Sequence, residues 1–161
     1  MATLPNLSPG APLPTGAVQI TRLRRSFENF GMLVDFLAGL DPFTRYDLGN
    51  FCRALQHQLN HGNHVAAVSA TRIVGYCGWL PTTAAIASAW MEERGQLLPA
   101  ESDAADAVAL TVVACSDRKI LAHLIRRARD LNPGRRVYFR RQYADQKRTP
   151  RKSSVRNAGQ Q

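Results

Sequence analysis

The sequence predicts a single α/β domain, more narrowly α+β, in which a mixed sheet is flanked by helices. Three observations predict it. The 161 residues are 45% apolar, with 6 Phe, 4 Tyr and 2 Trp, a globular composition of single-domain size. The apolar period changes from helical to strand-like near residue 64. The elements then close on a strand–helix–strand order, which asks for a parallel or mixed sheet.

Residues 1–19 contain Pro5, Pro9, Gly10, Pro12, Pro14 and Gly16 and read as a flexible lead-in. The domain is expected over 20–143. Phe27 to Leu40 reads as a helix, with Phe30, Leu33, Val34 and Leu37 on one face. Gly39 and Asp41-Pro42 stop it. Tyr46 to Leu59 is a second helix, its face formed by Leu48, Phe51, Cys52, Leu55 and Leu59, with Thr44 as a candidate cap. Asn60 to Asn63 is a turn by composition. His64 to Ala70 and Arg72 to Leu80 are rich in β-branched and aromatic residues and form a hairpin. Thr83 to Gln96 reads as a helix, and Pro99 to Asp106 as an acidic loop. The continuous apolar run Val108 to Ala114 is expected of a strand covered on both faces. Ser116-Asp117 opens a third long helix with Ile120, Leu121, Leu124 and Ile125 as its stripe, and Asn132-Pro133-Gly134 ends it. Arg136 to Tyr143 alternates as a last strand, and 144–161 is a basic, flexible tail.

The net charge of +9 is unevenly placed. From Arg118 to Arg156, 14 Lys/Arg stand against two acids, a local charge of +12. The other residues hold seven Lys/Arg and ten acids, or −3. Such a segment favours an acidic protein, a nucleic acid or an anionic surface. Three dispersed cysteines read as reduced thiols in a cytoplasmic protein, with no metal knuckle. No run of about 18 uncharged apolar residues offers a membrane span.

The stretch Phe30 to Trp79 resembles the toxin-activating lysine acyltransferases, the hemolysin-activating proteins that modify repeat-in-toxin cytolysins. Gly31 lies in an apolar helix. Asp41-Pro42-Phe43-Thr44-Arg45 stands where the family has Ser-Pro-x-His-Arg. Val74-Gly75-Tyr76-Cys77-Gly78-Trp79 resembles the family's Val-Ala-Tyr-Cys-Ser-Trp strand. The likeness extends over most of 27–143. It implies a GNAT-like fold, with a cleft between splayed strands. It also implies transfer of a fatty acyl group from acyl carrier protein to a lysine of a protein acceptor, with no bound cofactor.

Two departures bear on the chemistry. Thr44 stands where the family places its catalytic His, and a hydroxyl does not take a proton near neutral pH as imidazole does. Ala109 or Leu110 stands where the family has a catalytic Asp, and Asp106 is the nearest carboxylate. The catalytic candidates are therefore Thr44, His64 as replacement base, and Asp106. The partner-binding candidates are Arg45, Arg118, Lys119, Arg126, Arg127, Arg136, Arg140 and Arg141, which suit the acidic carrier. The glycines that grip a coenzyme A pyrophosphate are missing at Ser116 to Lys119, which favours carrier protein as donor. A simple Ser cap explains the same residues. Cys77 has no basic neighbour in sequence and reads as an inert core thiol. His57, His61 and His64 cluster around a turn without the carboxylate or Cys that would complete a metal shell. Tyr76 and Trp79, at odd spacing, face opposite sides of the sheet. The alternative function is a non-catalytic, basic adaptor of the same fold, docking on an acidic protein or a nucleic acid. A cleft lined only by Thr, Ala and apolar groups favours it. A homodimer is compatible with either.

Overall fold

The computed structural model describes residues 17–140. Within them, strand β1 (Val18–Thr21) leads to α1 (Phe27–Ala38), a 3-10 turn (Phe43–Arg45) and α2 (Leu48–His61). The hairpin β2 (His64–Ser69) and β3 (Arg72–Thr82) comes next, then α3 (Ala84–Met91), β4 (Ala107–Cys115), α4 (Arg118–Asp130) and β5 (Arg136–Phe139).

Local chemistry sets the ends. The Ser26 hydroxyl caps α1 by accepting from the Asn29 amide at 3.1 Å. Asp47, rather than Thr44, caps α2, accepting from the Asn50 amide at 2.8 Å. Gly62, at φ 66°, ends α2 in the left-handed conformation that glycine adopts without cost. α3 is shorter than its sequence suggests. It stops at Met91, and Glu93 turns the chain with φ 58°. β1 begins at Val18, inside the segment expected to be lead-in, because Val18 and Gln19 pair with Ser69 and Val68. Arg141 to Tyr143, expected to extend β5, lie outside the described residues.

The sheet runs β1-β2-β3-β4-β5. The first four strands are antiparallel, and β5 joins β4 parallel through the α4 crossover, so the sheet is mixed as expected. Each face carries a core. One packs Cys77, Trp79, Val108 and Leu110 against Ile120, Leu124 and Ala128 of α4. The other packs Tyr76, Val112 and Ala114 against Leu33, Leu37, Leu55 and Leu59 of α1 and α2. Tyr76 and Trp79 thus enter opposite cores.

A bulge in β4 sets which way the second half of that strand faces. Gly78 pairs with Val112, but Trp79 pairs with Leu110, so Thr111 is an extra residue. It inverts the side-chain alternation. Before it, Val108 and Leu110 face α4. After it, Val112 and Ala114 face α1 and α2. This inversion is why Val108 to Ala114 shows no period of two.

Candidate functional site

The bulge lies just past Leu110, the last β4 residue paired with β5. β5 pairs with Ala107 to Leu110 only. β4 runs on to Cys115, and among the described residues its edge from Thr111 onward has no strand partner on that side. The chain then enters α4, whose cap Asp117 accepts from the Lys119 amide at 2.9 Å. Arg118 and Lys119 are exposed in the first turn.

A buried polar chain fixes the bulge from the α2 side. Gln58 is 2% exposed although it sits on the core face of its helix. Its Nε2 donates to Thr111 Oγ1 at 2.7 Å, and its Oε1 accepts from the Tyr76 hydroxyl at 2.9 Å. Thr111 Oγ1 in turn points its proton toward the Gly78 carbonyl at 3.5 Å, a long bond. The amide reaches this position only because residue 78 lacks a Cβ, which would stand 2.0 Å from Gln58 Oε1. Thr111 itself is half-buried. Burial, and secondarily the Cys77 thiol, raises the Tyr76 phenol well above its ordinary value. Burial pushes the Cys77 thiol up to about 12, so it is an inert core group.

His64 belongs to the same assembly. It is fully buried and stacks on Tyr76 with ring centroids 5.8 Å apart. Its Nδ1–H donates to the Gln58 carbonyl at 3.1 Å, and its Nε2 accepts from the Leu23 amide at 3.0 Å. The carbonyl and the amide fix that tautomer between them. Desolvation lowers its pKa, opposed by the bond to Gln58 and reinforced by the Arg22 charge. The ring pins β1 and α2 to the sheet. A proton can reach Nε2, where His64 was expected to act as a base, only if the Leu23 amide is displaced.

The other candidates are placed elsewhere. Thr44 is exposed on the 3-10 turn and donates to Asp41 Oδ1 at 3.0 Å, while Arg45 Nε lies 3.9 Å from the same oxygen. Asp106 accepts from the Ala84 amide at 2.7 Å and ties α3 to the start of β4. Strand geometry sets it roughly 17 Å from Thr111. Thr44, His64 and Asp106 share no hydrogen bond or ring contact with one another. Arg126 and Arg127 join Arg118 and Lys119 on the exposed face of α4, and Arg136 is exposed at the start of β5. The Arg140 guanidinium lies over the Trp90 ring at 4.6 Å and 4.0 Å from Glu93, tying β5 to the end of α3. Arg141 lies outside the described residues. Among those residues no cluster of three His, Cys, Asp or Glu could hold a metal, and no helix is long and apolar enough to cross a membrane.

The sign of the His64 shift gives a prediction. Its folded pKa is below the unfolded value, so the unfolded state binds more protons just under pH 6.5. The stability it confers is fully present above pH 6.5 and declines as pH falls toward the folded pKa. Urea midpoints measured from pH 8 to pH 5 are expected to stay level to about 6.5 and then drop, while the folded His64 ring titrates by NMR below the value of a free imidazole. A midpoint that rises on acidification contradicts this placement.

This arrangement of four antiparallel strands, a parallel fifth and a bulged centre is GNAT-like. The chain superposes on a mosquito arylalkylamine N-acetyltransferase-like 5b protein with TM-score 0.55 and 10% identity, over 81% of this chain and 79% of that one. It also superposes on an agmatine N-acetyltransferase, the S171A mutant in its apo form, with TM-score 0.52 and 13% identity, over 80% and 77%. No protein-family model matches the sequence. No curated protein matches it either. At these identities the likeness is one of fold.

Proposed function

We propose that this protein is an N-acyltransferase that takes an acyl group from a phosphopantetheine thioester and delivers it to an amine. The observation that carries the proposal is the edge of β4 past the bulge, which has no strand partner among the described residues and ends at the basic first turn of α4. An extended thioester arm with two amides can lie along such an edge as an added strand. Its terminal phosphate then meets Arg118 and Lys119. The amine lone pair attacks the thioester carbonyl, and amides of the bulged edge take the oxyanion's charge. The C–S bond breaks, the nitrogen gives up its extra proton to water, and the departing thiolate takes a proton from water.

Asp117 favours carrier protein over coenzyme A as donor. Its carboxylate already occupies an amide of the α4 terminus and sets a negative charge where a pyrophosphate would rest. The exposed Arg126 and Arg127 add a face for an acidic carrier. On this reading the acceptor is a lysine side chain of another protein, as in the toxin-activating enzymes the sequence resembles. One observation favours the rival reading, a basic adaptor. The hydrogen-bonded chain at Thr111 is built from Gln58, Gly78 and Tyr76, none of them a base at neutral pH.

Incubation with carrier protein bearing a labelled acyl chain, with acyl-coenzyme A in parallel, separates the two. Label passing to amines from the carrier, and at least about tenfold less from coenzyme A, is the expected result. Tight docking of the carrier without transfer leaves the adaptor.

A further inference from the structure

A groove of about 350 Å³ runs between the start of α1 and the last turns of α2, lined by Arg25, Phe27, Phe30, Gln56, Leu59 and Asn60. Its body is apolar. Phe27 and Phe30 stand one helical turn apart on α1 and Leu59 faces them from α2. Phe27 is 89% exposed, an aromatic ring left in water at the groove's lip. The volume lies within the range of small-ligand pockets.

Arg25 is the one charged residue of the lining among the described residues. Arg22, Arg24 and Arg25 precede the helix, and Glu28 is the acid in its first turn. Among the described residues, Arg25 makes no ion pair with a carboxylate. A guanidinium fork matches a carboxylate in a planar, bidentate geometry. The amides of Gln56 and Asn60, one turn apart on α2, add neutral polar groups to the wall.

We propose that this groove binds an amphipathic carboxylate, with its hydrocarbon body against Phe27, Phe30 and Leu59 and its head on Arg25. A cationic ligand of the same body meets the Arg25 guanidinium and is repelled. A short carboxylate has the head but lacks the body. The site is separate from the β4 edge, and its test does not depend on acyl transfer.

Calorimetric titration of the full chain with octanoate, acetate and octylammonium at neutral pH tests it. Octanoate is expected to saturate one site with Kd at or below about 1 mM. Acetate and octylammonium are expected to bind at least about tenfold more weakly. Arg25→Gln should lower octanoate affinity about tenfold, and Phe27→Ala several-fold, since each removes half of the recognition. Both positions are exposed, so both variants should fold, and melting curves check that. Arg72→Gln, an exposed arginine on β3, controls for general charge and should leave octanoate binding unchanged. Equal binding of octylammonium, an unaffected Arg25→Gln variant, or no saturation by octanoate at about 10 mM overturns the proposal.

Discussion

Replacing Gly78 by alanine is expected to destabilise the fold by about 3 kcal/mol and to lower its melting temperature by roughly 10 °C. The added methyl would stand 2.0 Å from Gln58 Oε1 and 2.4 Å from its Cδ. A flexible side chain usually yields to such a clash cheaply, but Gln58 is buried and holds two partners. If it moves, the Tyr76 hydroxyl is left inside the core without an acceptor, and Thr111 loses its donor. Each orphaned group costs about 1–3 kcal/mol. A double-mutant cycle isolates the cause. In a Gln58→Ala background the methyl has room, and Gly78→Ala is expected to cost under about 1 kcal/mol there. Denaturant midpoints for the four proteins give the coupling. A coupling near zero would mean that Gly78 is required for some reason other than the Gln58 amide.

The sequence carries more of this fold than of its site. Leu33, Leu37, Leu55 and Leu59 repeat at helical spacing because they all meet one sheet face, so both helices are legible. The hairpin is legible because both its strands are buried and β-branched. β1 is hidden because its stability comes from pairing with β2 and from the Leu23 amide held by His64, contacts 41 or more residues away in sequence. The bulge at Thr111 is hidden because the extra residue flips the facing of the strand midway, and that erases alternation. Two signals do point at the site. Gln58 is a polar residue three positions after Leu55 on an otherwise apolar stripe, and Thr111 is the one polar residue in Val108 to Ala114. Each looks like a minor flaw in a pattern. Only the fold shows that they are partners, 53 residues apart. His64 misleads for a related reason. An imidazole near a turn resembles a solvated base, whereas here both its nitrogens are committed to the backbone.

That commitment shapes how transfer should depend on pH. A histidine base gives a rate that rises and then levels near its own pKa, about 6.5 when unperturbed. Here His64 is sealed, and Gln58, Thr111 and Tyr76 offer no group that accepts a proton near neutrality. The acceptor amine must therefore lose its proton to water before it attacks. Only its free-base fraction reacts, and for a lysine-like amine that fraction grows about tenfold per pH unit up to about pH 10. Single-turnover label transfer from the acyl carrier is thus expected to climb with unit slope from about pH 6.5 to 9, without a plateau. An acceptor of lower pKa should shift the whole profile down by the difference in pKa. Thr111→Val should reduce the rate at every pH and leave the slope unchanged, because it removes a polar contact at the bulge but no base. A profile that levels near neutral pH would require an ionising group in contact with the amine, and the described residues around the bulge contain none.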